Sequence, residues 1–218
     1  MAKFIRLDQQ DNVAILHMNS GAGHALTQGL RRQLLAQLQQ IADRPDILGV
    51  VLAGPATGGV FSTGLALGEL ETGAQAPTLM TLCNRVAGFT KPVVAALQGP
   101  VLGGGLDLAL AAHGRVALQN THVGCHNSTL GLLPLGGATQ RLPALLGAKA
   151  ALTLLRGEEL FPIRHPMLDG LVEEIVNDGL ERAAVALVRL WSDHPDLHQT
   201  ARNRRQGFRD GARFQAEI

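Results

Sequence analysis

The stretch that most constrains this chain is residues 91–107, Lys-Pro-Val-Val-Ala-Ala-Leu-Gln-Gly-Pro-Val-Leu-Gly-Gly-Gly-Leu-Asp. Val93 to Leu97 has the length and apolar character of a buried strand. Gly99-Pro100 ends it, since proline lacks an N–H donor and glycine accepts dihedrals closed to other residues. Gly103, Gly104 and Gly105 then lead into Leu106-Asp107-Leu108-Ala109-Leu110-Ala111-Ala112, which reads as a helix. A strand that passes through glycines into a helix leaves free backbone N–H groups at the positive end of the helix dipole. With no side chains in the way, a ligand oxygen can approach those groups, so the stretch predicts an anion or oxyanion site. Two familiar glycine loops do not fit. A phosphate-binding Walker loop needs Gly-Lys-Ser/Thr where this chain has Gly105-Leu106-Asp107. The dinucleotide fingerprint needs spaced glycines soon after the first strand, whereas these are consecutive and mid-chain. A tight turn that packs strand on helix, with no ligand, is the alternative for the stretch taken alone.

The rest of the chain supplies the frame for that turn. Lys3 to Leu7 and Val13 to Met18, across Asp11-Asn12, read as a β-hairpin. Thr27 is placed to cap a helix with Leu30, Leu34, Leu38 and Ile41 on one face. Ile47 to Ala53 is a second buried strand, followed by a Gly-rich loop over 54–64 and a helical stretch around 78–89. The middle of the chain thus alternates strand and helix, which implies parallel pairing through crossover helices. Arg115 to Leu118 reads as a strand and Leu142 to Leu155 as a helix despite Gly147. Leu171 to Val176 reads as a strand and Leu180 to Trp191 as a last apolar helix. From His194 the chain turns polar and carries Arg202, Arg204, Arg205, Arg209 and Arg213. That composition fits a solvated terminal helix, a linker or a basic patch for phosphates. Residues 1–192 are therefore read as one domain and 193–218 as a polar, Arg-rich tail or linker.

Composition narrows the function. A chain of 218 residues, 46% hydrophobic and 17% charged, can bury a substantial core. A net charge of +1, with 3% aromatics and no Tyr, argues against a nucleic-acid surface. Cys83 and Cys125 form neither a metal pattern nor a disulfide framework, so no metal is expected and a cytoplasmic, reducing compartment suits them. No apolar run reaches membrane-spanning length, and no signal peptide opens the chain.

Four segments, in order, carry a resemblance. They are Val60-Phe61-Ser62-Thr63-Gly64, Lys91 to Ala96 running on through Gly103-Gly104-Gly105-Leu106-Asp107-Leu108-Ala109, Leu130-Gly131-Leu132-Leu133-Pro134-Leu135-Gly136-Gly137-Ala138-Thr139-Gln140-Arg141-Leu142, and Gly170-Leu171-Val172. On these residues the chain resembles the crotonase superfamily, the enoyl-CoA hydratase/isomerase family, over roughly residues 3–192. The resemblance implies an α/β fold, a crotonase-like ββα spiral, that binds acyl-CoA thioesters and stabilises an enolate. It assigns two oxyanion N–H groups, from Gly104 and Thr63, and places substrate against Thr63, Gly64, Leu65 and Gly104. Coenzyme A enters as part of the substrate, with no further cofactor. Partners implied are the acyl-CoA and other copies of the chain, as a trimer or hexamer, with neither nucleic acid nor membrane.

The acid–base positions depart from the family pattern. Hydratases of the family carry one glutamate two residues after the glycine run and a second four residues before the glycine matching Gly131. Here those positions hold Asp107 and Asn127, and the usual aspartate after the Phe-Ser-x-Gly-x motif is Ala66. Asp107 keeps a carboxylate but retracts it by one methylene; Asn127 can hold a water but is no base near neutral pH. Weak or altered hydratase activity is the expectation, with Asp107 and Asn127 at the catalytic positions. His24, His122 and His126 are the candidate replacement bases. Thioester hydrolysis or decarboxylation with a histidine is a second expectation, and a degenerate acyl-CoA-binding or assembly module a third. The family's C-terminal helical extension reads as shortened, as in a short member or the leading part of a multifunctional β-oxidation enzyme.

Overall fold

In the computed structural model the described residues are 3–55, 58–66, 68–71, 73 and 75–204. The chain opens on a hairpin, β1 (Ile5–Gln10) and β2 (Val13–Met18), paired antiparallel. Asp11 and Asn12 between them take φ of 48° and 61°, the left-handed conformations a two-residue hairpin loop requires. Next come α1 (Gln28–Ala42), β3 (Gly49–Ala53), the short α2 (Gly68–Glu71), α3 (Leu79–Ala87) and β4 (Val93–Leu97). The Thr27 hydroxyl accepts the Leu30 N–H at 3.2 Å and starts α1, which buries Leu30, Leu34, Leu38 and Ile41.

After β4 the chain departs from the sequence expectation. The glycines do lead straight into a helix, but an extra element precedes them. The chain turns at Gly99, forms a short strand β5 (Pro100–Leu102), and only then enters α4 (Gly104–Ala111). Then follow β6 (Gly114–Leu118), β7 (His122–Gly124), α5 (Ala138–Arg156), β8 (Phe161–Pro162), β9 (Glu174–Val176), α6 (Leu180–Asp193) and α7 (Pro195–Arg204). Gly147 breaks the helical path of α5, with φ 80° and ψ 166°.

The main sheet runs β1-β2-β3-β4-β6-β9, parallel from β2 onward, as the alternating strand and helix pattern implies. Its inner strands are apolar on both sides because both faces are covered. Leu16, Val50, Leu52, Val93, Ala95 and Leu97 join the core under α1, α3 and α4. The alternate residues Ile15, Val51, Val94 and Ala96 pack with Val185, Val188 and Trp191 of α6. A smaller sheet, β5-β7-β8, lies apart, and a bridge from Ser62 to Val101 ties the 61–66 loop to it. This bridge brings the loop beside the glycine turn.

In the stretch read as tail, α7 is helical and buries His198 and Ala201. Residues 205–218, with Arg205, Arg209 and Arg213, lie outside the described residues. Among the described residues no helix is long and apolar enough to cross a membrane.

Candidate active site

Each glycine of the turn answers to a different neighbour. Gly103 has φ 48°, and a Cβ there would lie 2.9 Å from Asn127 Oδ1. A Cβ on Gly104 would lie 3.3 Å from the Leu65 N, and one on Gly105 would collide with the Ser62 carbonyl. Gly64 is bound as tightly from the other side, with φ 103° and its Cβ position 2.8 Å from the Gly104 N. The two loops therefore pack backbone against backbone.

Ser62 holds that contact. Its hydroxyl donates to the His24 carbonyl at 2.9 Å and accepts the Gly64 N–H at 3.1 Å. Its carbonyl accepts the Leu102 N–H at 3.0 Å, and the residue is fully buried.

Thr63 does not offer the N–H expected of it. Its amide donates to the Gly23 carbonyl at 2.9 Å, and its hydroxyl to the same carbonyl at 3.0 Å. The next amides along are Gly64, taken by Ser62, and Leu65, for which no acceptor stands among the described residues. The Gly104 N–H, first in α4, is equally without one. So Leu65 and Gly104 supply adjacent unsatisfied donors. The sequence names Leu65 only as a contact, because which carbonyl Thr63 meets depends on a segment forty residues away.

Asp107 lies one turn into α4 and is fully buried. Its Oδ1 accepts the Ala138 N–H at 2.7 Å, while Oδ2 is buried with no partner. Burial pushes this carboxyl up to about 6, against the pull of the Ala138 and Gly136 amides, the Arg141 charge and the Leu135 amide. Asn127 is brought to the same turn through Gly103, and its Oδ1 is likewise buried and unpartnered. Its Nδ2 reaches the Leu133 carbonyl only at 3.5 Å.

The histidines fall differently. His24 adjoins Ser62 through its carbonyl, takes φ 48°, and has a buried, unpartnered Nδ1; burial lowers its basicity. His126 also has an unpartnered Nδ1, with its ring over Gly124 near Leu160. His122 is exposed at the start of β7, with Nδ1 3.0 Å from the Asn120 carbonyl, and no described contact joins it to the glycine turn. Among the described residues, His24, Asp107, His126 and Asn127 hold every buried side-chain N or O atom without a partner. Such atoms typically cost about 1–3 kcal/mol each, and two of them, on Asp107 and Asn127, belong to residues at the glycine turn and the helix it opens.

Beside the turn opens a cavity of about 260 Å³, lined by Leu65, Ala66, Leu79, Met80, Leu135 and, at its polar edge, Arg31 with Glu69. Arg31 is 2% exposed, and the sequence reading missed it. Its guanidinium pairs with Glu69 at 2.8 Å and donates to the Leu26, Pro77 and Gln75 carbonyls, so it is spent on structure.

Known proteins place this arrangement. The family model described as enoyl-CoA hydratase/isomerase matches residues 8–206. The chain is 34% identical over 190 residues to a probable enoyl-CoA hydratase of Mycobacterium avium, covering 84% of this chain and 73% of that one. It is 32% identical over 200 residues to the human peroxisomal bifunctional enzyme, covering 89% of this chain but 27% of that protein. The chain thus spans about a quarter of the length of the bifunctional relatives it matches. Among solved structures, an enoyl-CoA hydratase from Bacillus anthracis superimposes with a TM-score of 0.78 at 28% identity, covering 86% of this chain and 76% of that one. One from Thermoplasma volcanium, at 23% identity, shares the fold with a TM-score of 0.83 over 97% of this chain and 87% of that one. With its spiral of parallel strands and its paired glycine loops, the chain belongs to the enoyl-CoA hydratase/isomerase family.

Proposed function

We propose that the chain is an acyl-CoA enzyme of the hydratase/isomerase type. It holds the thioester oxygen between the Leu65 and Gly104 N–H groups and moves a proton with Asp107. The observation that carries this reading is the pair of unsatisfied amides where α4 begins, one turn before the buried, half-partnered carboxylate that the same helix carries. Adding or removing a proton beside a thioester carbonyl puts negative charge on its oxygen. A fixed donor at that oxygen is worth about 2.7–4 kcal/mol, and the α4 N-terminus adds its dipole. A carboxyl near 6 can both take and return a proton close to neutral pH. Asn127 holds a water or hydroxyl without exchanging its own proton. One carboxylate in place of two suits slow hydration, or a proton shift within the acyl chain. Coenzyme A belongs to the substrate, and the apolar cavity beside Leu65 takes the acyl group. Two buried free thiols suit a reducing compartment such as the cytoplasm. Exposed Leu133 and Leu152 suit self-association as a trimer or hexamer.

Thioester hydrolysis is the second reading, favoured by His24, whose carbonyl meets the Ser62 hydroxyl and whose Nδ1 is buried without a partner.

Gly104→Ala tests the first. Its methyl group would sit 3.3 Å from the Leu65 N, where the two donors meet, while its closest neighbour, Leu79 Cδ2 at 2.9 Å, can swing aside. The variant is expected to fold and to lose about 10²–10³-fold in turnover of a 2-enoyl-CoA. An unchanged rate in the folded variant refutes the assignment. Release of free thiol by the unaltered chain, without hydration or isomerisation, selects the second reading; binding without any turnover leaves a binding module.

A further inference from the structure

Asp107 sits on α4, but what surrounds its carboxyl comes from the start of α5. The Ala138 N–H donates to Oδ1, and the Gly136 and Leu135 amides also act on the group. This approach needs Gly136: a Cβ there would lie 2.5 Å from Asp107 Cβ and 2.9 Å from Cys83 Sγ. The turn is clasped by Arg141. From the first turn of α5 its guanidinium bends back and donates through Nη1 to the Gly136 carbonyl. It covers Gly137, which has φ 100° and where any side chain would strike Nη1. The same charge acts on both Asp107 and the Cys83 thiol.

We propose that Arg141 is the positioning residue for Asp107: from the first turn of α5 it clamps the 135–138 turn so that its amides converge on the carboxylate. The proposal rests on the reading of Asp107 as the proton-transfer group. The titratable groups facing Asp107 are Cys83 from α3, Cys125 after β7 and Arg141 from α5. Burial drives both thiols up, Cys125 to about 12 and Cys83 further, so neither ionises in the working range. Arg141 is then the charged side chain acting on Asp107 among the described residues, and it opposes the burial that raises the carboxyl.

The test follows the Asp107 carboxyl by carbon NMR in substrate-free protein, beside the acid limb of the pH–rate profile. Arg141→Met removes clamp and charge; Arg141→Lys keeps the charge and loses the forked donor. In Arg141→Met the carboxyl midpoint is expected to rise by about one unit, the lower end of what a neighbouring guanidinium supplies. The acid limb should move with it, a roughly tenfold loss of rate below the midpoint. Arg141→Lys should hold the midpoint and lower kcat alone. An unmoved midpoint in Arg141→Met, or an equal rise in both variants, overturns the proposal. If Arg141→Met does not fold, Arg141→Gln carries the same expectation. The titration needs no turnover, so it stands whether or not Gly104→Ala loses activity.

Discussion

One methylene at each position and one amide in place of a carboxylate separate this site from the two-glutamate pattern its family resemblance implies, and both changes sit in buried ground. Asp107 ionises at about 6, against an ordinary value of 3.8, because burial outweighs three amides and a guanidinium. An acid whose folded pKa is raised holds its proton more tightly in the fold than out of it. Its ionisation therefore drains stability as pH rises from about 4 through 6, and the drain is constant above that. At about 1.4 kcal/mol per unit, the loss at neutral pH is on the order of 2–3 kcal/mol. Asp107→Asn keeps the oxygen that accepts from Ala138 and removes the charge. It is expected to raise the unfolding free energy by about 2 kcal/mol at pH 7.5 and by almost nothing at pH 4, read from urea melts at the two values. A gain that persists at pH 4 contradicts the sign. On the proposed reading, the site gives up stability to hold a carboxylate that titrates near neutral pH.

At the scale of elements, the least anticipated feature is α7, since its arginines and few apolar residues read as tail. One histidine pair docks it. His113 Nδ1 accepts the Val93 N–H at 3.0 Å and lies 2.7 Å from His198 Nε2. An Nδ1 that accepts from Val93 carries no proton, so His198 must donate to it. The His198 ring also stacks on Trp191, with centroids 6.0 Å apart. His198→Ala removes the hydrogen bond and the stack, and a loss of about 1–3 kcal/mol is expected. Amide exchange should speed up in α7 while β2, β3 and β4 stay protected; equal acceleration everywhere would show that α7 unfolds only with the whole. The hairpin, α1 and the parallel strands needed no such help to be read. Their signals are local: the turn residues Asp11 and Asn12, a cap at Thr27, and apolar runs buried on two faces.

The whole molecule works as a sheet that hands its loops to one corner. β3 and β4 run parallel, so the loops that follow them emerge at the same end, and the Ser62–Val101 bridge locks those two together. A ligand that bridges both loops binds the folded chain and not the unfolded one, and must raise its melting point. At a hundredfold excess over its Kd an acyl-CoA should add about 2.7 kcal/mol, whereas the free fatty acid, lacking the thioester and nucleotide, should add little. Equal shifts from both would mean that the apolar cavity alone does the binding.

What the sequence determined by itself is what short spacing can encode: strand, helix and turn, a helix start at the glycine run, and the two positions where Asp107 and Asn127 stand. Dihedral preference and side-chain period act over a few residues, so they are legible without the fold. Tertiary structure alone decided which amides stay free and what a carboxylate meets. Thr63 gives its N–H to Gly23 while the next free amide is that of Leu65, and Asp107 meets the Ala138 amide at the start of α5, thirty-one residues on. The β5 strand exists because β7 pairs with it, and α7 packs down where His198 meets His113 and Ala201 is buried. Each of these depends on a partner far along the chain, and a hydrogen bond or a buried charge takes its energy from that partner's position, which no local pattern specifies.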